Sequence, residues 1–351
     1  MSASSAPVRL ADLTTLRVGG PAAALTSAES AGDLIEAVRA ADAAGRPMLL
    51  VGGGSNLVVG DDGWPGEVVR IASRGVRVQA DGDDVLLDVQ AGEPWDDVVA
   101  LAVEQGWQGI ETLSGIPGLT GATPVQNVGA YGSDMVPVLV SVDVWDRTAG
   151  VRSTQAAADI GLGYRDSAFK HSDRYVVLAV RLRLRAGAGS IPLTYAQLAR
   201  AVDVPLGGTA PLAVVRAAVL ELRRAKGMVL DDGDRDTWSA GSFFTNPVLA
   251  QLPPGMTDVP DGAQWPAERP GGGAGVKLSA AWLIQSAGFG PGYSLAGSAA
   301  ALSGKHTLAL TNRGGATAAQ ILDLARTIRT GVLERHGVAL DAEPRLVGVA
   351  L

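Results

Sequence analysis

Cysteine is absent from the 351 residues. That excludes disulfides, thiolate metal sites, iron–sulfur clusters and cysteine nucleophiles together. Histidine is nearly absent: His171, His306 and His336 are scattered, no HExxH pair occurs, and no metal site is expected. Only four lysines stand against a large excess of arginine. No apolar run reaches the roughly 18 residues that a membrane helix needs. The N-terminal MSASSAPVRL has no apolar core of signal-peptide length. No membrane insertion is expected, and the cytoplasm is the expected compartment. An excess of positive charge is also missing. The net charge of −7 argues against nucleic acid as a partner but leaves room for a local basic pocket.

Hydrophobic residues make up 47% of the chain, enough for a sizeable core, and the length allows two or three domains. Ser30–Gly45 reads as a helix, with Ser30 and Asp33 at capping-box spacing and Leu34, Ile35, Val38 and Ala41 on one face. Pro47–Val51 reads as a short buried strand. Val85, Leu87 and Val89 alternate as a second strand, and Pro94–Gly106 has proline in a first helical turn and glycine at its end. Val138–Trp145 and Tyr175–Arg185 follow as strands. In the latter, Val180, Leu182 and Leu184 alternate with Arg181, Arg183 and Arg185, the pattern of a half-exposed antiparallel sheet. Pro211–Lys226 is an amphipathic helix. The acidic Leu230–Trp238 segment marks a change of character. Leu252–Gly275, rich in proline and glycine, reads as an extended loop. Ser279–Gly288, Lys305–Thr311 and Thr317–Gly337 read as helix, strand and long helix. Arg345–Leu351 reads as a strand returning to the first domain.

Two glycine clusters carry the chemistry. Gly52, Gly53, Gly54, Ser55 and Asn56, followed by Leu57, form a tight turn between a strand and an apolar run. Successive bare N–H groups there suit a phosphate, although an ordinary tight turn has the same signature. No helix pattern follows, so this is not a Rossmann fingerprint. The second cluster, GIPGLTGATPVQNVGAYG, spans Gly115–Gly132 with five glycines, two prolines and the amides of Gln126 and Asn127. So long a loop is costly to order without a ligand or dense packing. It is either a dinucleotide cradle or a structural Ω-loop.

Together these clusters resemble the UDP-N-acetylenolpyruvoylglucosamine reductase family, from Leu16-Arg17-Val18-Gly19-Gly20 to Arg345. Gly163-Tyr164-Arg165-Asp166-Ser167, Gly241-Ser242-Phe243-Phe244-Thr245-Asn246-Pro247 and Glu343-Pro344-Arg345 match further family motifs in order. The resemblance implies an α+β fold. A two-part FAD-binding domain of the p-cresol methylhydroxylase/vanillyl-alcohol oxidase type would precede a C-terminal α+β substrate-binding domain. The implied divisions are 1–75, completed by the strand 338–351, then 76–230, then 231–337.

The resemblance also implies non-covalent FAD, NADPH as co-substrate, UDP-N-acetylglucosamine enolpyruvate as substrate, and a monomer. Flavin contacts would be Gly52, Gly53, Gly54, Ser55, Asn56, Leu57, Ile116, Pro117, Gly118, Gly121, Ala122, Gln126, Asn127, Gly129, Ala130, Tyr131 and Gly132. Arg165, Ser242 and Glu343 would be catalytic, and Tyr164, Tyr195, Lys226, Asn246, Lys277 and His306 would contact substrate. The chain departs from the family where Gly227-Met228-Val229 replaces the Leu-Pro that usually follows the helix-end lysine. The residue types suit the reaction. A permanently charged, forked arginine can hold a carboxylate and the enolate that develops beside it. A hydroxyl can deliver the proton that follows. Glu343 could polarise the system only with a raised pKa. The rival readings are an FAD-dependent sugar or alcohol oxidase of the same cofactor fold, and a flavin-binding protein without catalysis.

Overall fold

A computed structural model describes residues 8–187, 189–269 and 271–351. The chain divides into two compact units. The first comprises Ala23–Gly53 and Pro65–Val229. The second comprises the segment ending at Ala22, Gly54–Trp64 and Leu230–Leu351.

The first unit is built on an antiparallel sheet in the order Val151–Ala156, Leu139–Asp146, Tyr175–Ala186, Asp84–Gln90, Val76–Asp81. Val180, Leu182 and Leu184 face Val89, Leu87 and Val85 across the ladder. All six are buried, whereas Arg181, Arg183 and Arg185 lie on the exposed face. Arg181 is paired there with Asp88 at 2.5 Å. The alternation in the sequence is therefore the alternation of the sheet. Trp95, Val98, Val99 and Ala102 of the helix Trp95–Glu104 close the apolar face. A smaller sheet places Trp64–Ile71 between Ala22–Ala28 and Met48–Val51. The helix Ala31–Ala43 lays Leu34, Val38 and Ala41 over that sheet. Its first turn is held by the Ser30 hydroxyl, which accepts from the Asp33 N–H at 3.1 Å.

The second unit gathers around the helix Ala318–His336. Thr317 and Gln320 form a capping box at its start, and Gly337 ends it with φ 67°. Seven of its side chains are buried, each stabilising by about 1.5–3 kcal/mol where a large aliphatic group leaves water. They pack with Phe243, Phe244, Leu283 and Ile284. Arg345–Val347 runs parallel to Leu57–Val59.

Two expectations need correction. Leu252–Gly275 is not simply an extended loop, because Gln264–Glu268 and Ala274–Leu278 pair as a hairpin, with Val248–Leu249 on its other side. Pro266 lies on the outer strand, where its missing N–H breaks no inner ladder bond. The strand expected at Lys305–Thr311 shrinks to Leu310–Asn312. Ser303 takes up the preceding backbone, its hydroxyl accepting from the N–H groups of Lys305 and His306. No helix among the described residues is long and apolar enough to cross a membrane.

Candidate functional site

In the first unit the two glycine clusters meet. A Cβ placed on Gly53 would lie 2.8 Å from Gly118 Cα, and one on Gly52 would lie 3.3 Å from the Leu119 side chain. A side chain at Gly53 would force the turns apart, so glycine is required there for the contact itself. The long loop is anchored behind this point. Thr120 N–H donates to Glu93 O at 2.8 Å, Gly121 N–H to Ala91 O at 2.9 Å, and Trp95 N–H to Gly118 O at 3.1 Å. A Cβ on Gly121 would sit 2.6 Å from Ala91 Cβ. Part of the glycine content thus serves close packing. Ile116, Pro117 and Gly118 remain half-buried, and Ala122 is exposed.

Asn127 ties the loop to the turn that carries Arg165. Its side-chain N–H₂ donates to Gly163 O at 2.9 Å and to Asp134 at 3.4 Å, and its oxygen accepts from Met135 N–H at 3.2 Å. Asn127 is 3% exposed, so this amide serves the loop's own architecture. Arg165 donates to Gly129 O at 2.7 Å and to Asn127 O at 3.5 Å. Its guanidinium carbon lies 5.7 Å from the ring of the exposed Tyr164. Lys170 donates to Arg165 O at 2.7 Å, and His171 meets Asp166 at 2.6 Å, which holds the turn from below. Asn127, Tyr131 and Arg165 have φ of 44°, 50° and 55°. Left-handed backbone at non-glycine residues costs energy, and it concentrates at functional sites.

Beside this turn lies a cationic corner. Tyr131 and Tyr195 pack edge to face at 5.5 Å. Lys226 Nζ lies 5.8 Å from the Tyr131 ring and donates to Gln197 at 3.0 Å. Arg223, one helical turn earlier, donates to Met228 O at 2.9 Å. Burial pushes the Arg223 guanidinium below its ordinary range. Burial, and then the charge of Arg223, do the same to Lys226. Burial pushes the Tyr131 hydroxyl up. Arg223 was not singled out in the sequence. Its signal was its spacing, four residues after the buried Val219 and three before Lys226, which puts an arginine on the inward face of the helix.

Within the second unit, three motifs distant in sequence are laced together. Gly54 O accepts from Thr15 N–H at 3.2 Å, and Asn56 O from Arg345 N–H at 2.9 Å. The Asn56 side chain donates to Glu343 O at 3.4 Å, and Leu57 pairs with Arg345. Glu343 N–H donates to Phe243 O at 2.8 Å. Phe243 and Phe244, each 1% exposed and 5.1 Å apart, root the segment that carries Ser242. Ser242 Oγ lies 3.4 Å from His306 Nε2. Asn246 accepts from Ala280 N–H at 2.9 Å, at the start of the helix Ala280–Ser286. Lys277 stands on the hairpin opposite Val248 and Trp265. The second unit therefore brings Asn56, Ser242, His306 and Glu343 together. Gly52, Gly53, the Ile116–Gly132 residues, Tyr164, Arg165, Tyr195 and Lys226 belong to the first unit.

Residues 22–154 match the FAD binding domain family, and residues 233–347 match the UDP-N-acetylenolpyruvoylglucosamine reductase C-terminal domain. A UDP-N-acetylenolpyruvoylglucosamine reductase of Saccharopolyspora erythraea is 56% identical, covering 97% of this chain and 95% of that protein. One from Salinispora arenicola is 50% identical over 99% and 96%. The crystal structure of the Thermus caldophilus UDP-N-acetylenolpyruvylglucosamine reductase superposes with a TM-score of 0.65 at 27% identity, covering 97% of each chain. The fold is α+β, an FAD-binding domain followed by the reductase C-terminal domain. With half its residues identical to relatives of matching length, the chain belongs to the UDP-N-acetylenolpyruvoylglucosamine reductase family.

Proposed function

We propose that the chain reduces UDP-N-acetylglucosamine enolpyruvate to UDP-N-acetylmuramate, a step of peptidoglycan precursor synthesis, using NADPH and non-covalent FAD. In this reading it works in the cytoplasm as a monomer. Residues 1–75 with 338–351, and 76–230, chiefly hold the flavin, and 231–337 chiefly hold the substrate. The paired glycine turns fit FAD, because glycines at Gly52, Gly53 and Gly118 let backbone approach backbone closely, and glycine-rich backbone N–H groups are the donor set a pyrophosphate takes. The chain has no cysteine to tether a flavin through sulfur. When bound, FAD supplies hydride exchange between the nicotinamide and the vinyl carbon distal to the carboxylate.

Arg165 holds the substrate carboxylate and stabilises the negative charge that grows there. Its fork is already oriented by Gly129 O and Asn127 O. Ser242 gives its hydroxyl proton to the carbon next to the carboxylate, and Glu343 polarises the same group. Tyr164, Tyr195 and Lys226, joined by Arg223, bind the nucleotide diphosphate. Asn246, Lys277 and His306 complete the contacts to the sugar nucleotide. Clustered, partly desolvated cations favour a dianion strongly, because a new counter-charge relieves their mutual repulsion.

One observation carries this reading: Glu343 N–H bonded to Phe243 O, with Arg345 N–H bonded to Asn56 O. It joins three family motifs in one framework with Ser242 at its surface. Single-turnover mixing tests it. NADPH should bleach the yellow protein, and the enolpyruvyl nucleotide should restore the colour. Ser242→Ala should still bleach but recover roughly 10²–10⁴-fold more slowly. Recovery at the wild-type rate removes Ser242 as proton donor, and no recovery in the unaltered protein removes the substrate.

A further inference from the structure

A serine hydroxyl is a poor acid, and the cost of using one falls on its oxygen. As the proton leaves, the O–H bond breaks, a C–H bond forms on the substrate, and negative charge is left on Oγ until solvent reprotonates it. A hydrogen-bond donor aimed at Oγ stabilises that charge. It also occupies an oxygen lone pair, which directs the hydroxyl proton elsewhere. His306 Nε2 lies 3.4 Å from Ser242 Oγ, a long hydrogen bond of the kind that tightens around bound substrate.

The surroundings of His306 are built to hold it there. Ser303 is 0% exposed and accepts from the N–H groups of Lys305 at 3.0 Å and His306 at 3.2 Å. His306 O accepts from Ala309 N–H at 2.9 Å. The acidic segment read in the sequence as a boundary grips this turn from outside. Asp236 accepts from Gly304 N–H at 2.9 Å and from Arg313 at 2.8 Å, and Asp234 accepts from Lys305 Nζ at 2.5 Å. Asp234 also caps Asp236 N–H at 3.0 Å. On the other side, Phe243 N–H donates to Leu308 O at 2.7 Å. Ser242 and His306 are thus fixed by ladders one residue from each side chain or closer.

We propose that His306 is a positioning residue for the proton donor, its Nε2–H directed at Ser242 Oγ, and that Asp234 and Asp236 form the clamp that holds it in place. The inference rests on Ser242 being the donor. It assigns a task in this reaction to the LDDGDRDTW segment, which the family motifs leave without one.

The test is the rate of flavin reoxidation at saturating enolpyruvyl nucleotide, in holoenzyme whose circular dichroism and flavin content match wild type. His306→Ala should lower that limiting rate roughly 10- to 100-fold, the worth of one hydrogen bond to a charged oxygen. His306→Gln keeps an N–H donor and should recover most of the loss. Asp236→Asn, which weakens the clamp without emptying it, should lower the rate by a few-fold, about the worth of one ordinary hydrogen bond. Because His306 acts through Ser242, the double variant Ser242→Ala/His306→Ala should be no slower than Ser242→Ala alone. The proposal is overturned if His306→Ala raises only the half-saturating concentration, if His306→Gln is as slow as His306→Ala, or if the two losses multiply in the double variant. A fast Ser242→Ala enzyme would instead remove the donor on which the inference rests.

Discussion

The two units hold their functional residues by opposite means. In the first, charge is concentrated and kept from water. Arg165, Arg223 and Lys226 lie around Tyr131, and two of the three cations are pushed toward neutrality. In the second, Ser242, His306, Asn246 and the Glu343 main chain are set by ladders and turns. The first arrangement is costly without an anion, because buried like charges repel and lose hydration. In the proposed reading, the cationic corner meets the charge of the substrate and the Ser242 framework delivers the proton.

Three substitutions in the first unit press on that contrast, in order of falling effect. Arg165→Ala should slow reoxidation of reduced flavin by roughly 10²–10³-fold, the usual cost of losing one donor to a developing anion. Arg165→Lys should not restore it, since a point charge cannot bond Gly129 O and Asn127 O while also facing a carboxylate. A lysine enzyme near wild-type speed would reduce Arg165 to simple charge. Arg223→Met should raise the half-saturating concentration of the UDP-sugar roughly 10- to 100-fold. Its melting temperature should hold or rise, because a buried cation has been removed. A fall in stability with unchanged affinity would make Arg223 structural.

The smallest effect is one of pH. Lys226 is held below the ordinary lysine range by burial and by Arg223. It therefore loses its charge at a lower pH than an exposed lysine would. Affinity for the diphosphate should be full while the ammonium is charged and weaken about three- to tenfold as pH rises through the shifted value. Lys226→Arg stays charged and should lack this alkaline weakening. Half-saturation measured across pH decides it, and identical profiles would place Lys226 away from the phosphates. The same lowering means that the charged ammonium costs stability at neutral pH, a cost relieved as pH rises through the folded value.

What was legible in the sequence follows burial. The Tyr175–Ala186 strand and the helix Ala318–His336 each have one buried face, and their periodicities reveal them. The strands Val76–Asp81 and Val151–Ala156 were not singled out: both lie largely exposed at sheet edges, Val151–Ala156 has no apolar alternation, and the short alternation of Val76, Val78 and Ala80 serves no buried face. Trp64–Ile71 was hidden by Pro65 and Gly66 at its start, and the Gln264–Leu278 hairpin by Pro266 and the glycines of its turn. The motifs located Arg165, Ser242 and Glu343, but not what holds them. Asn127 looked like an amide for a ligand, yet its polar atoms bond Gly163, Asp134 and Met135. Arg223 was not singled out, because charge on a helix is normally solvated.

The parallel ladder between Leu57–Val59 and Arg345–Val347 also sets a timetable for biosynthesis. Asn56 and Glu343, which it brings together, are 287 residues apart. At about 5–20 residues per second on a ribosome, roughly 15–60 s pass between the making of one and the other. Leu57–Val59, with two buried valines, spends that interval without its native neighbour and is exposed to wrong pairings that a chaperone could shield. Glu343 sits two residues before the strand that ends the wait. The framework around Ser242 is therefore completed only after Glu343 and Arg345 have been made, and a nascent chain cut short before them carries the earlier motifs without the ladder that joins them.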